Sequence, residues 1–97
     1  TKRSESRRVA QNVMAYTYIL LSEKHSKTYV GSTESLKRRL IEHNSGKCTF
    51  TKSFVPWIIF YQEEYLSIGE ARKREKYLKT SMGKRVIKKQ LGSFFLT

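Results

Sequence analysis

Two side chains suited to phosphate chemistry, Arg39 and His43, lie about one helical turn apart in the sequence. A guanidinium can hold a phosphate through two parallel hydrogen bonds, and an imidazole can move a proton near neutral pH. When this segment is projected as a helix, both residues fall in a stripe of about 100° that also contains Leu36 and Leu40, as expected of a core-facing side. A lone helical arginine is usually solvated. Two polar residues within an apolar stripe instead predict a polar pocket beneath the helix.

A carboxylate occupies the apolar stripe of a second predicted helix. Glu75 shares this stripe with Ile68, Ala71, Leu78 and, if the helix continues, Met82. Burying a charged carboxylate is costly unless it is paired, hydrogen-bonded or bound to a metal ion. The pattern leaves two interpretations open. Glu75 either forms a buried salt bridge, to Arg39, or is the lone carboxylate ligand of a hard divalent ion such as Mg²⁺.

Two tyrosines in a predicted β-hairpin form a third candidate group. Two short runs rich in aromatic and β-branched residues flank the polar residues 23–26. If these four residues form the loop, Tyr18 pairs with Gly31, and Tyr29 lies on the same face as Tyr18. A loop of another length would place the tyrosines on opposite faces, and the sequence leaves both open. Gly31 has no Cβ, which permits close approach of a backbone or ligand beside Tyr29.

Other elements must position these groups. The apolar run 57–61, which follows Pro56, predicts a strand buried on both faces. A Ser-x-x-Glu capping box at Ser67 predicts the start of the helix that carries Glu75. Gly83 interrupts the pattern of that helix, and residues 84–91 predict a short basic helix.

The charge of the chain predicts a polyanionic partner. The 97 residues include 20 Lys and Arg against 8 Asp and Glu, a net charge of +12, and 38% are hydrophobic, enough for one small domain. Nucleic acid is the first candidate, and a basic surface without a partner is the alternative. The residues expected to contact phosphate are Lys47, Lys52, Arg72, Lys76, Lys84, Arg85 and Lys88. Residues 1–15 predict a flexible basic arm, and residues 92–97 predict a C-terminal tail.

Cellular placement is predicted from what the sequence contains. A single cysteine, Cys48, cannot form an internal disulfide and suggests a reducing compartment. No apolar run approaches the ~18 residues of a membrane span, and no signal-peptide pattern precedes the first strand. We therefore expect a cytoplasmic protein that does not enter a membrane.

In their order and spacing, these residues resemble the GIY-YIG nuclease superfamily. The Gly-Ile-Tyr motif of that family falls on residues 16–18, where Tyr and Thr replace Gly and Ile, and Tyr-Ile-Gly falls on residues 29–31. The family's helical arginine matches Arg39, the histidine four residues later matches His43, and its metal-binding glutamate matches Glu75. The resemblance covers about residues 16–91 and looks closest to small single-domain bacterial members, which are similar to the N-terminal nuclease domain of the UvrC-like excinucleases.

This resemblance implies one α/β domain over residues 16–91, with a small three-stranded antiparallel sheet flanked by helices. It implies a metal-dependent DNA endonuclease of the DNA repair or processing type, with one Mg²⁺ or Mn²⁺ on Glu75 and no small-molecule cofactor. Arg39 would neutralise charge on the scissile phosphate. Tyr18 or Tyr29 would orient or deprotonate the attacking water, and the family leaves open which one does so.

A catalytically silent nucleic-acid-binding module on the same fold is the alternative function. Glu75 and Arg39 on inward-facing stripes favour the enzyme, because a protein that only binds nucleic acid needs neither of them there. DNA is the expected partner in both cases, and we also expect a protein partner that selects the substrate.

Overall fold

The computed structural model describes residues 14–96, with side chains described as far as Gly92. The predicted basic arm therefore lies outside the described residues, apart from Met14 and Ala15. The elements are, in order, β1 (Ala15–Ser22), β2 (Thr28–Thr33), α1 (Leu36–Asn44), a 3₁₀ helix (Lys52–Phe54), β3 (Trp57–Tyr65), α2 (Ile68–Leu78) and α3 (Ser81–Leu96). The predicted α/β class with a three-stranded antiparallel sheet is confirmed.

The most deeply buried strand in the structure is β1, which lies at the centre of the sheet in the order β2-β1-β3. Its hairpin with β2 has the register predicted for a polar loop at residues 23–26, with Tyr18 opposite Gly31 and Leu20 opposite Tyr29. Tyr18 and Tyr29 therefore share one face of the sheet, because side chains alternate between faces along each strand.

The prediction that the run 57–61 is buried on both faces is wrong. β3 is an edge strand, and of its residues only Trp57 is buried while 58–61 are half-buried. An apolar run cannot by itself distinguish a central strand from an edge strand that is covered by helices. The central position belongs to β1, where Tyr18, Ile19 and Leu20 are all almost fully buried.

The sheet separates two apolar clusters. On the face covered by α1, Tyr18, Leu20 and Trp57 pack together with half-buried neighbours that include Leu36 and Leu40. On the face covered by α2 and α3, the buried residues are Ile19, Val30, Leu78 and Ile87. Each such side chain contributes about 1.5–3 kcal/mol on burial. Because side chains of β1 alternate between the two faces of the sheet, this strand contributes to the apolar cluster on each face.

A partly buried polar contact holds α2 to β3. The carboxylate of Glu63 accepts hydrogen bonds from the hydroxyls of Tyr61 and Tyr65, at 2.5 and 2.6 Å, and from Arg74 at 2.9 and 3.1 Å. Burial alone would raise the pKa of Glu63, but these hydrogen bonds outweigh it and lower the pKa. Glu63 therefore remains charged and fixes the orientation of the helix that carries Glu75.

The junction of the last two helices differs from the prediction. α2 ends at Leu78 rather than continuing to Met82, which is exposed in α3. Gly83 does not interrupt a helix but lies buried in the first turn of α3. A Cβ on Gly83 would overlap the Tyr77 carbonyl oxygen and the Leu78 backbone, so the missing side chain allows α3 to start directly against α2. α3 then runs to Leu96, and residues 92–96 continue this helix rather than form a separate tail.

Within residues 14–96, no helix is both long and apolar enough to cross a membrane.

Two glycines of α3 give opposite predictions for the same substitution. Gly83→Ala should lower the free energy of unfolding by about 1–3 kcal/mol, because the new methyl group meets backbone that cannot rotate away. Gly92→Ala is the matched control, since nothing lies within 4 Å of its added Cβ. It should raise stability by up to about 1 kcal/mol, the difference in helix propensity. Urea unfolding of both variants measures this, and equal effects would show that Gly83 is not a contact point.

Candidate active site

The local sequence of α1 directs Arg39 and His43 toward the sheet. Ser35 caps the helix by accepting a hydrogen bond from the backbone N–H of Arg38 at 3.3 Å. The helix ends before Gly46, whose φ of +84° suits a residue without a Cβ. His43 is fully buried, and Arg39 is half-buried with its side chain 32% exposed. The predicted polar pocket thus lies where the stripe meets β1 and β2.

A chain of hydrogen bonds connects Tyr18 to the loop before β3. The Tyr18 hydroxyl lies 3.0 Å from His43 Nε2, His43 Nδ1 lies 2.9 Å from Thr51 Oγ1, and the Trp57 indole donates to the Thr51 carbonyl at 2.9 Å. Thr51 Oγ1 donates to the Cys48 carbonyl at 3.4 Å. This network assigns Nδ1 as the donor to Thr51 and leaves Nε2 to accept the proton of Tyr18.

Gly31 makes room for the ring of Tyr18. A Cβ on Gly31 would overlap the hydroxyl and Cζ of the Tyr18 ring. The close approach that the sequence predicted at this glycine is therefore made by a side chain of the same sheet. Thr51, which is fully buried, was missed from the sequence because a threonine in an irregular loop carries no periodic signal.

Burial keeps both members of the Tyr18–His43 pair neutral. Desolvation raises the pKa of Tyr18 to about 12, although the hydrogen bond and charge of Arg39 oppose this. Desolvation also lowers the pKa of His43, and the nearby Arg39 charge lowers it further. A neutral phenol can donate a hydrogen bond to a neutral imidazole. The proton therefore stays on the Tyr18 hydroxyl and forms the hydrogen bond to Nε2 of His43.

Tyr29 differs from Tyr18 in its access to solvent. Its ring packs against His43, with centroids 4.8 Å apart, and lies 6.5 Å from the ring of Tyr18. It is half-buried, whereas Tyr18 is only 1% exposed. Among the residues with described side chains, the Tyr29 hydroxyl has no hydrogen-bond partner. Tyr29 is therefore the tyrosine of this pair that can contact a water or a substrate directly.

Arg39 is paired within its own helix. Its Nη1 donates to Glu42 Oε1 at 2.8 Å, and the two side chains are 32% and 31% exposed. Burial would lower the pKa of Arg39, but hydrogen bonds to Glu42 and Tyr18 outweigh it and raise the pKa. Arg39 is thus a permanent cation above the tyrosine face of the sheet.

The interpretation of Glu75 as the salt-bridge partner of Arg39 is wrong. Glu75 Oε1 accepts from the Ser32 hydroxyl at 2.5 Å, and Oε2 accepts from Lys79 Nζ at 2.8 Å. Ser32 belongs to β2, so α2 brings Glu75 to the outer edge of the sheet. Its charge still reaches across this edge, where it is one of the influences that raise the pKa of Tyr18. Lys79 Nζ also lies 5.9 Å from the Tyr29 ring centroid and connects the two groups.

The donor atoms around Glu75 fit a single hard divalent ion. The described residues contain no cluster of three or more His, Cys, Asp or Glu side chains that could hold a metal. Mg²⁺ commonly uses one or two protein carboxylates and completes its shell with water and substrate phosphate. The Glu75 carboxylate is 22% exposed and has the Ser32 hydroxyl beside it, which meets this requirement once Lys79 releases Oε2.

A basic cleft of about 260 Å³ lies beside Arg39 at the edge of β2. Arg38, Arg39 and Arg72 line it, together with Ser32, Thr33, Glu34 and Ile68. Ser32 therefore contacts Glu75 on one side and lines the cleft of Arg39 on the other. The surplus of arginine is suited to a phosphate group.

Four of the other residues predicted to contact DNA lie near this edge. Arg72 and Lys76 border Glu75, and Lys84 and Lys88 line a separate groove next to Tyr29. Lys47, Lys52 and Arg85 are exposed. Sequence reasoning missed Ser32 and Lys79, because a serine in a strand and a lysine at a helix end are common surface residues.

Comparison with known proteins identifies a family and several relatives. The model of the GIY-YIG catalytic domain matches residues 14–89. A UPF0213 protein of Staphylococcus haemolyticus is 38% identical over 66 residues, which cover 67% of this chain and 79% of the relative. A UPF0213 protein of Staphylococcus epidermidis is 42% identical over 53 residues, 54% of this chain and 65% of the relative. One from Syntrophus aciditrophicus is 38% identical over 69 residues, 68% of this chain and 79% of the relative.

No solved structure matches the chain. The match to the family model nevertheless includes both tyrosines, the α1 arginine and histidine, and the α2 glutamate, and extends over most of the 97 residues. The chain belongs to the GIY-YIG catalytic domain family.

Proposed function

We propose that this protein is a metal-dependent DNA endonuclease that hydrolyses a phosphodiester bond. One observation carries the proposal: Ser32 bonds to Glu75 and also lines the cleft of Arg39, so a carboxylate and a guanidinium border the same edge of β2. A phosphate that enters this cleft meets the permanent cation of Arg39, and Ser32 connects the cleft to Glu75, a carboxylate able to hold a divalent ion. The net charge of +12 supports DNA as the partner.

Arg39 binds the phosphate in this mechanism. Its raised pKa keeps the guanidinium charged at every physiological pH. Glu42 holds one nitrogen of Arg39 and orients the side chain before substrate arrives. Charge that builds on the phosphate oxygens during the reaction is then stabilised by a donor already in place.

Glu75 would hold the divalent ion, Mg²⁺ or Mn²⁺, with Ser32 orienting the carboxylate. When bound, such an ion supplies a Lewis acid that stabilises negative charge on the phosphate and the leaving oxygen. Lys79 must leave Oε2 for this to happen, and its position 5.9 Å from the Tyr29 ring places the freed cation near the substrate.

Tyr29 contacts the attacking water. The rings of Tyr18 and His43 pack against the ring of Tyr29 and hold it in position. The Tyr29 hydroxyl is accessible, whereas Tyr18 is buried and already donates to His43. Water adds to phosphorus, one P–O ester bond breaks, and the proton released by the water ends on the leaving oxygen, which gives a phosphate monoester and a free hydroxyl. Tyr18 therefore positions His43 and, through ring contacts, Tyr29.

A catalytically silent DNA-binding module is the second candidate. The observation in its favour is that Glu75 and Lys79 neutralise each other, so the free protein presents no unpaired carboxylate at this position. In that case Arg39 and the surrounding lysines would bind DNA without turnover, and a protein partner would supply the chemistry as well as substrate selection.

The two tyrosines should respond differently to loss of the hydroxyl. Tyr29→Phe should lower the cleavage rate by about 10²-fold or more and change the free energy of unfolding by less than about 0.5 kcal/mol. Tyr18→Phe should cost about 1–3 kcal/mol of stability, because it leaves buried His43 Nε2 without a donor. Cleavage assays and urea unfolding measure both, and a Tyr29→Phe variant that cuts at the wild-type rate contradicts the assigned role.

Glu75→Gln should remove the response to metal while keeping the fold, because an amide oxygen can still accept from Ser32. At a Mn²⁺ concentration about 100 times the Kd, wild type should gain about 2.7 kcal/mol of stability and the variant none. Glu70→Gln, an exposed change in the same helix, is the control and should keep the gain. Thermal unfolding with Mn²⁺ and with chelator decides this; a wild type insensitive to Mn²⁺ favours the silent module.

The lowered pKa of His43 predicts how stability depends on pH. Below the ordinary histidine pKa of 6.5 this histidine is protonated in the unfolded chain, whereas His43 in the folded protein stays neutral until a lower pH. The stability is therefore fully present above that value and is lost as the pH falls below it toward the folded pKa. Glu42 and Glu63 have lowered pKa values as well, so they titrate in a more acidic range.

The pH dependence is measured on the His25→Gln variant. The chain has two histidines, so His43 is the one that remains. The free energy of unfolding of this variant should be constant above about pH 6.5 and fall from there toward about pH 5. Adding His43→Gln should flatten the profile in this range. A flat profile with His43 present would mean that the imidazole is not held neutral.

A further inference from the structure

A second groove, of about 540 Å³, starts at Tyr29 and runs between the edge of β2 and α3. Its wall is mostly apolar and includes Phe50 and Ile87, while Lys79, Lys84 and Lys88 line its rim. A volume in this range is enough for a molecule of drug or nucleotide size. Because Tyr29 lines this groove and also packs on His43, the groove opens directly beside the candidate active site.

Phe50 is the most unusual residue of the groove. Its side chain is 75% exposed, and it lies on the loop after α1 with its ring centroid 6.0 Å from that of Tyr29. The core does not need this aromatic ring, since most of its surface faces solvent. Together with Tyr29 it offers two aromatic faces to whatever enters the groove.

The charge around the groove is of one sign. No Asp or Glu lines it among the described residues. Lys84 and Lys88 are exposed, lie one turn apart on α3, and form no ion pair with any residue that the structure describes. Lys79 pairs with Glu75 at the end nearest the active site. An apolar aromatic wall with a lysine rim complements a ligand that has flat apolar rings on an anionic backbone.

We propose that this groove binds unpaired nucleotides adjacent to the phosphate held by Arg39, with a base stacked on Phe50 and the backbone on Lys84 and Lys88. Exposed aromatic rings combined with a basic groove bind single strands, because every unpaired base presents a face for stacking. A duplex hides these faces within its own stack and could use only the lysines. The inference rests on the proposed DNA substrate but not on cleavage, and it names DNA with an unpaired segment beside the cut as the preferred substrate.

The test measures binding by fluorescence anisotropy with the full 97-residue chain in the presence of chelator. The probes are an oligothymidylate of about eight nucleotides and an abasic strand of the same length. Stacking of one base, worth about 1–3 kcal/mol, should make the oligothymidylate bind roughly 5- to 150-fold more tightly than the abasic strand. Phe50→Ala should remove this preference and leave abasic binding unchanged. Leu66→Ala, an equally exposed apolar change, should preserve it.

Charge variants distinguish binding in the groove from nonspecific electrostatic attraction to the basic protein. The pair Lys84→Gln and Lys88→Gln should reduce the slope of log affinity against log salt by about 0.7 for each lysine on the oligothymidylate. The control pair Lys24→Gln and Lys37→Gln removes the same charge from exposed positions elsewhere and should change the slope less. Equal effects of the two pairs, or equal binding of the two probes by wild type, would overturn the groove assignment.

Failure of this inference can be distinguished from failure of the proposed function. A protein that cuts DNA but binds both probes equally contradicts the groove alone. A protein that keeps the preference but cuts no DNA with Mg²⁺ or Mn²⁺ contradicts only the nuclease. Self-association without DNA that Phe50→Ala abolishes would instead make the groove a contact between two copies, and would also overturn the inference.

Discussion

The hydrogen bond between Tyr18 and His43 is the interaction on which the α1 side of the molecule depends. It joins the central strand to α1, and through Thr51 and Trp57 it extends to the loop and to β3. Buried polar groups are costly when they lack partners, so a chain in which each group has one specifies a single arrangement. This chain of hydrogen bonds requires Gly31, because any larger residue at that position would displace the phenol of Tyr18.

The second constraint is that helices cover both faces of the sheet, while the candidate site lies at one edge, that of β2. α1 brings Arg39 and His43 to one face, while α2 packs on the other and reaches the edge of β2 with Glu75. Glu63 and Arg74 fix the orientation of α2, so this ion pair also determines where the candidate carboxylate of Glu75 lies. Ser32 bonds to Glu75 and lines the cleft of Arg39, and Lys79 pairs with Glu75 beside the Tyr29 ring, so both residues lie between the two groups.

Much of the fold, but less of the site, could be predicted from the sequence. The helix stripe with His43 and the cap at Ser67 follow from periodicity and short-range rules, and both are confirmed. The tyrosine register depends on a loop length that the sequence left open. Periodicity shows which side a residue faces but not which partner it meets. For that reason the sequence left open whether Glu75 pairs with Arg39 or binds a metal ion, whereas in the structure each of the two has a partner in its own helix or at its end. The edge position of β3 depends on strand order, which no local pattern contains.

The single tryptophan of the chain lies at the far end of the Tyr18–His43–Thr51 chain. Trp57 is 3% exposed, donates its indole proton to the Thr51 carbonyl and packs against Phe54. Its fluorescence is therefore an intrinsic optical reporter of the layer beneath α1, while the opposite layer of α2 and α3 contains no tryptophan. Emission from this one residue distinguishes loosening around the candidate active site from unfolding of the other helices, without any added label.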